Sequence, residues 1–330
     1  MAPDRHAAGS SPGARRAFPP PLPQTRSWDV IGLGANASDH LISIPHYPKP
    51  GEKVRFSSYR AQGGGQAATA LVTVARFGYR TRYFGAVGDD RDGEANLAGL
   101  RAEGVDVSGV LVRPGALTQR AFILVDRASG ERTIIWGRSE GLIPSPEEID
   151  AGAIAQGRLL HTDAQEPRAA ARAARAARRA GMPVLVDLEH TRPGIEELLP
   201  LVDFLIVDEG FPERATGTRD IERAMAALEE RSHGALVVVT RGRRGALARV
   251  DGCARDYPAY AIEAVDTTGA GDVFHGAFAV ACLDGMDLAG ALDFCNAVAA
   301  MKCLAEGGRT GIPRDRAAVE AFRRATPHRP

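Results

Sequence analysis

The chain has 330 residues and a formal net charge of +0, with Lys+Arg 41 against Asp+Glu 41, 44% hydrophobic and 25% charged residues. That is the balance of a globular chain able to close a sizeable core, and a pI near 7.1 excludes a protein that depends on broad attraction to nucleic-acid phosphates. No apolar run reaches the roughly 18–20 residues of a membrane helix, and Cys253, Cys282, Cys295 and Cys303 show neither a C-x-x-C pair nor a histidine at zinc spacing, so reduced thiols in a cytoplasmic protein with no membrane partner are expected.

Residues 1–26, MAPDRHAAGSSPGARRAFPPPLPQTR, have almost nothing to bury and lack the apolar stretch of a secretory signal; a disordered leader is expected. From Trp28 the text WDVIGLG reads as a first buried strand. Pro45, Pro48 and Pro50 exclude a regular helix after it, and Val54 to Tyr59 look extended. After Gly63-Gly64-Gly65, QAATALVTVARFG has small and apolar residues all round, as a buried helix ending at Gly78 would. TRYFGAVGDD follows as strand and turn, then GEANLAGLRAEG as an amphipathic helix closed by Gly104. Residues 118–136 predict a hairpin around Ala128-Ser129-Gly130.

From Arg158 the alternation becomes regular: strand RLLHTD, helix 168–180, strand PVLVDL, helix near 194–200, strand DFLIVDE, helix near 219–231, strand ALVVVT. The basic run ARAARAARRA is taken as a solvated helix face rather than a nucleic-acid patch. Helices around 271–283 and 288–304, and one after Pro313, close the chain. Such alternation argues an α/β fold, a mainly parallel sheet covered by helices on both faces. The expected organisation is one domain over 27–326, with a small β lid assembled from about 40–62 and 110–138 and no internal repeat.

The strongest chemical signal is Asp266-Thr267-Thr268-Gly269-Ala270-Gly271-Asp272, followed by the apolar VFHGAFAVACL. A glycine-rich turn opening a buried helix presents unpaired backbone N–H groups and the positive end of the helix dipole, an arrangement that binds phosphate. Asp272, in the first turn, would sit beside that anion and could accept a proton from an attacking hydroxyl; on residue type alone it could equally be a helix cap. Gly32-x-Gly34-x-x-Ala37 fits a loose dinucleotide fingerprint, but the prolines behind it leave no helix to receive a pyrophosphate, and no G-x-x-x-x-G-K-[ST] occurs. Asp39 follows the first strand, where open α/β sheets gather ligands. His161, His190 and His275 are read as structural.

Together, DTTGAGDVFHGAFA, GGGQAATALVTVARFG and GANASDH resemble the ribokinase-like, or PfkB, family of carbohydrate kinases over about residues 28–325. The resemblance implies a three-layer ribokinase-like sandwich and ATP-dependent phosphorylation of a sugar hydroxyl, with Asp272 as base and Gly269, Ala270 and Gly271 as the anion hole. It implies Asp39, Gly64 and Gly65 on the sugar, with Asp163 as a further candidate for a sugar hydroxyl and Thr69 where many members carry an Asn. It also implies Thr240, Gly242 and Gly245 along the ATP phosphates and ribose, and Asn296 at the adenine. The family's N-x-x-E segment, tied to Mg2+, is altered here to Asp208-Glu209-Gly210-Phe211, so Glu209 and Asp187 are the acidic candidates for the metal. A monovalent cation, K+, is implied near Asp266.

The motif wording is most similar to the branch containing sulfofructose kinase, which implies a ketohexose or sulfo-sugar with Arg132 and Arg138 on its anionic end. Ribose or a nucleoside on the same fold, and a silent sugar-binding regulator, are the alternatives. The lid implies a homodimer, and the alternation of Phe122, Leu124, Ile134 and Trp136 is compatible with an apolar sheet face for it.

Overall fold

The computed structural model describes residues 18–128 and 132–330. Thirteen strands form among them: β1 (Trp28–Leu33), β2 (Ala37–Ile44), β3 (Ser58–Gly64), β4 (Thr81–Gly88), β5 (Val105–Arg113), β6 (Arg120–Asp126), β7 (Arg132–Gly137), β8 (Gly157–Thr162), β9 (Val184–Leu188), β10 (Phe204–Asp208), β11 (Leu236–Thr240), β12 (Ala246–Val250) and β13 (Cys253–Tyr257). Nine of them make one sheet in the order β13-β12-β11-β10-β9-β8-β1-β4-β5, parallel from β11 through β5, with an antiparallel hairpin at one edge. The other four form a separate sheet, β3-β2-β6-β7. No helix is long and apolar enough to cross a membrane among the described residues.

The large sheet is covered on both faces because its central strands are apolar on both. In β10, Phe204 and Ile206 enter one core while Leu205 and Val207 enter the other, as the two-residue period requires. The first core is closed by the helices Gln66–Arg76, Arg91–Ala102, Ala270–Asp284 and Leu288–Lys302, the second chiefly by Pro167–Arg179. In that last helix the alanines are buried and the arginines line the outer side, Arg178 reaching Asp203. Methyl-sized contacts let the helix lie close on the sheet, and the long basic side chains stay in water.

Four expectations change. Residues 18–26 do not belong to a disordered leader: Phe18 packs edge-on against Phe204, ring centroids 5.8 Å apart, and against Phe278 at 5.4 Å. Residues 1–17, the Ser129-Gly130 turn and Glu131 lie outside the described residues. The extended stretch expected at Val54 to Tyr59 begins at Ser58 instead, and β5 joins the large sheet, so the small sheet takes its second pair of strands from 120 rather than 110. The hairpin β12–β13 adds two five-residue strands that the sequence reading lacks, β13 being polar; its signal is Asp251-Gly252, both at positive φ (51 and 82°), the pairing a tight two-residue turn prefers. Finally, Phe122 pairs with Ile135 and Ile123 with Ile134, so the four apolar residues expected on one face are divided. Ile123, Ile134 and Trp136 line a cleft between the two sheets, whereas Phe122 and Ile135 stand on the outer face, 41% and 58% exposed.

Candidate active site

The cleft has a volume of about 460 Å3 and is floored by the turn Thr267 to Asp272. Gly269 takes the left-handed conformation (φ 72°) that ends the turn, and the helix Ala270–Asp284 starts without a side-chain cap. An L-residue at 269 would be strained and its Cβ would lie 3.0 Å from the Gly308 carbonyl. The Ala270 amide donates to the Thr267 carbonyl at 3.2 Å. The backbone beside Gly271 is open, with nothing within 4 Å of where a Cβ would stand. The fifteen-residue helix thus opens on the cleft without a side-chain cap, at the turn from which the sequence leads one to expect anion binding.

Asp272 stands in the first turn of that helix, on the wall of the cleft. Burial, then the like charges of Asp187 and Glu189, push its carboxyl up to about 8. Asp187 is itself raised well above the ordinary range by burial and by Glu189 and Asp163. It accepts from Gln66 Nε2 at 3.2 Å and lies 3.6 Å from His275 Nε2. His275 is buried with Nδ1 2.8 Å from the Gly271 carbonyl and Nε2 3.3 Å from the Ile206 carbonyl; burial keeps the ring below its usual titration range, so a single N–H donates, a structural role.

Across the cleft, Asp39 on β2 is buried, and burial raises its carboxyl to about 6 against the opposing attraction of Arg309. Gly64 makes that position possible, since a Cβ there would collide with the Asp39 carboxylate. Arg309 went unnoticed in the sequence. Its Nη2 donates to the Gly64 carbonyl at 2.8 Å and its Nε to Thr69 Oγ1 at 3.1 Å, so it stands between Thr69 and Asp39. The available signal was a lone arginine framed by glycines, Gly307-Gly308-Arg309-Thr310-Gly311. Burial lowers the guanidinium to about 10 while Asp39 and Asp272 act to raise it.

Several expected sugar contacts turn out otherwise. Gly65 lines the cleft and caps the helix Gln66–Arg76 at φ 90°. Gly64 and Thr69 are not on the cleft wall; they hold Asp39 and Arg309 in place. Asp163 lines neither cavity and accepts from the backbone, from Ala35 N (2.6 Å), Ala67 N (3.2 Å) and Gln165 N (3.3 Å), and so ties the strand ends together. Arg132 and Arg138 flank β7 at opposite ends, about 20 Å apart at the rise of an extended strand, too far to share one anion. Arg132 donates to Thr267 Oγ1 and lies 4.0 Å from the Asp266 carboxylate. Arg138 donates to Gln119 Oε1 (3.2 Å) and Gln165 Oε1 (3.0 Å), and Gln165 continues to Gln66 at 3.0 Å.

A second cavity of about 350 Å3 is lined by Thr240, Gly242, Gly245 and Asn296 together with apolar Tyr260, Ile262 and Phe274. Asn296 Nδ2 donates to the Tyr257 and Pro258 carbonyls (3.0 and 3.1 Å), which fixes the amide and leaves Oδ1 as an acceptor. This cavity shares Thr267, Ala270 and Gly271 with the first, so the two meet at the helix N-terminus. Glu209 is on neither wall: it is paired with Arg244 and half exposed. Glu189, by contrast, lines the first cleft within electrostatic reach of Asp187 and Asp272. Among the described residues no three acidic or histidine side chains form a closed metal cage. A crowd of carboxylates with raised pKa values fits instead an open cation site of the kind Mg2+ completes with water and phosphate oxygens.

Comparison with known proteins gives the family. Residues 35–315 match the family described as pfkB family carbohydrate kinase. The chain is 28% identical over 299 residues to a ribokinase of Haemophilus influenzae, covering 89% of this chain and 98% of that one. It is 30% identical over 305 residues to an ATP-dependent ribose-1-phosphate kinase of Halopiger xanaduensis, covering 89% and 97%. The structure of Arabidopsis thaliana ribokinase complexed with ribose and ATP superposes with a TM-score of 0.77 at 26% identity, over 89% of this chain and 98% of that one.

Proposed function

The chain belongs to the pfkB family of carbohydrate kinases, phosphotransferases with an alcohol acceptor, and from that premise we propose that it moves the γ-phosphoryl group of ATP to a sugar hydroxyl held in the cleft beside Asp39. One observation carries the proposal: two cavities of small-molecule size meet at a single uncapped helix N-terminus, with the Asp272 carboxyl on the sugar side of the junction. ATP would lie in the second cavity, its base toward Asn296 and its phosphates along Thr240, Gly242 and Gly245. The Gly271 amide and the open backbone beside it then face the transferring group, and the helix dipole stabilises its charge. Asp272 takes the hydroxyl proton, Asp39 accepts from a second sugar hydroxyl, and the small sheet folds its Ile123, Ile134 and Trp136 face over the sugar to exclude water.

Mg2+ accompanies ATP in this proposal; Glu189 on the cleft wall would hold it, with the buried Asp187 within electrostatic reach of Glu189, and the ion would spread the phosphate charge. A positive ion there would offset the like charges that, after burial, raise the Asp272 carboxyl, and so would favour its ionised form. An anionic sugar, such as a ketohexose bearing a sulfonate, is favoured over a neutral ribose or nucleoside by one feature. Arg192 on the cleft wall lies within electrostatic reach of Arg138, and neither has a carboxylate partner at salt-bridge distance among the described residues. The outer face of the small sheet, with Phe122, Ile135 and Tyr59 exposed, is assigned to a homodimer contact.

The test is ADP release with ATP and Mg2+ over ribose, fructose, fructose 6-phosphate, 6-deoxy-6-sulfofructose, ribose 1-phosphate and adenosine. One strong acceptor that fails with Asp272→Ala, while ATP binding persists, is the expected result. An Asp272→Ala enzyme retaining a tenth of the rate would remove Asp272 as base, and a neutral winner would remove the arginines from the acceptor site.

A further inference from the structure

We propose that Lys302 is the resident cation of the anion-binding turn, a positioning residue whose buried ammonium makes a bound K+ unnecessary in this chain. Lys302 ends the helix Leu288–Lys302 and its side chain is fully buried, which lysines almost never are without a strong partner. Its Nζ donates to the Asp266 backbone carbonyl at 2.7 Å. No carboxylate stands at salt-bridge distance from it among the described residues; Asp266 and Asp272 are the acidic groups within electrostatic reach.

The surroundings show what the ammonium holds. The Cys303 carbonyl accepts from the amides of Val265 (2.8 Å) and Asp266 (3.2 Å). The Asp266 carboxylate accepts from Gly307 N and Thr268 N, both at 2.8 Å, and these bonds keep it below its usual range although burial pushes the other way. Segment 302–308 therefore backs the turn 266–269 from its start to Gly269, against which Gly308 packs. Within that clamp the Thr267 and Gly269 carbonyls already accept from the Ala270 and Val273 amides, and Lys302 brings a positive charge to the Asp266 carbonyl. An inorganic cation in the same place would have to gather several oxygen ligands from solution or protein; a covalently tethered ammonium is held by its own chain and is present at every salt composition. The charge also has the same sign as the positive end of the helix dipole that opens at Gly269. The kinetic part of this inference rests on the phosphoryl-transfer proposal; the binding part does not.

The experiment is calorimetric titration of the whole protein with ATP and Mg2+ in K+, Na+ and tetramethylammonium chloride at one ionic strength. The wild-type Kd should agree within threefold across the three salts; tightening beyond threefold in K+ alone overturns the proposal, and this arm needs no variant to fold. Lys302→Ala, which leaves room for a small ion, should bind ATP at least tenfold more weakly. K+, ammonium or methylammonium should recover at least threefold of that loss, and tetramethylammonium none. Wild-type affinity in Lys302→Ala, or a loss that no small cation recovers, would show that the ammonium is not acting as the cation of the turn. With an acceptor in hand, the loss should fall on kcat and ATP KM while sugar KM stays within twofold. If turnover depends on Asp272 but the wild type responds to K+, the kinase proposal stands and the Lys302 proposal falls.

Discussion

Asp39→Asn should make the empty protein more stable while it ruins sugar binding. The carboxyl is only 8% exposed, and burial raises it from 3.8 to about 6 despite Arg309. A group raised in this way supports the fold fully below its unfolded value and loses that support as pH rises through the folded one. At about 1.4 kcal/mol per pH unit, an ionised Asp39 costs the empty protein about 3 kcal/mol at pH 7.5. Asparagine keeps the shape and removes the charge, so it should recover about 1–3 kcal/mol, the lower figure applying if its amide finds no partner beside Gly64 and Arg309. The gain should appear as a higher denaturant midpoint at unchanged slope and should shrink between pH 6 and pH 4.5. The sugar KM should rise at least tenfold, because the cleft loses a charged acceptor for a hydroxyl. An Asp39→Asn protein less stable than wild type at pH 7.5, or one whose advantage is the same at pH 4.5, would refute the account of Asp39 as a strained, unoccupied ligand.

The acidic limb of kcat/KM should follow Asp272, rising with pH as the base ionises from a value near 8 in the free protein. Raising Mg2+ should move that midpoint down, and a midpoint indifferent to Mg2+ would separate Asp272 from the carboxylate crowd of Asp187 and Glu189. Gly64→Ala should displace the Asp39 carboxylate, costing about 1–3 kcal/mol of stability and raising sugar KM while ATP binding stays within twofold; an unchanged sugar KM would free Gly64 from that role. Phe18→Ala should lower stability by about 1–3 kcal/mol with kcat within twofold, since Phe18 packs on Phe204 and Phe278 far from the cleft side chains; no change in the unfolding midpoint would restore residues 18–26 to a loose leader.

Much of this protein was legible in the order of its residues. Helices and central strands are set by local periodicity, and continuous apolar runs such as DFLIVDE announce burial on both faces of a parallel sheet. The turn Asp266 to Asp272 could be read because an anion site at a helix N-terminus is built from consecutive backbone amides, so its whole geometry lies in one short segment. Side chains that meet across the fold could not be read in that way. Arg309 reaches Gly64 over 245 positions, Lys302 reaches Asp266 over 36, and Asp163 spends its carboxylate on Ala35 and Ala67; none of these pairings leaves a local pattern. Charge showed the same limit. Glu209 looked like a metal ligand from its place in a motif, but a neighbouring strand end supplied Arg244 to neutralise it, while Glu189 came to the cleft unannounced. Sequence alone determined the fold class and the glycine-rich turn that opens the helix Ala270–Asp284, because each depends on contacts close along the chain. The tertiary structure decided which charges face each other in the cleft and behind it, because burial and Coulomb attraction act through space and take no account of separation along the chain.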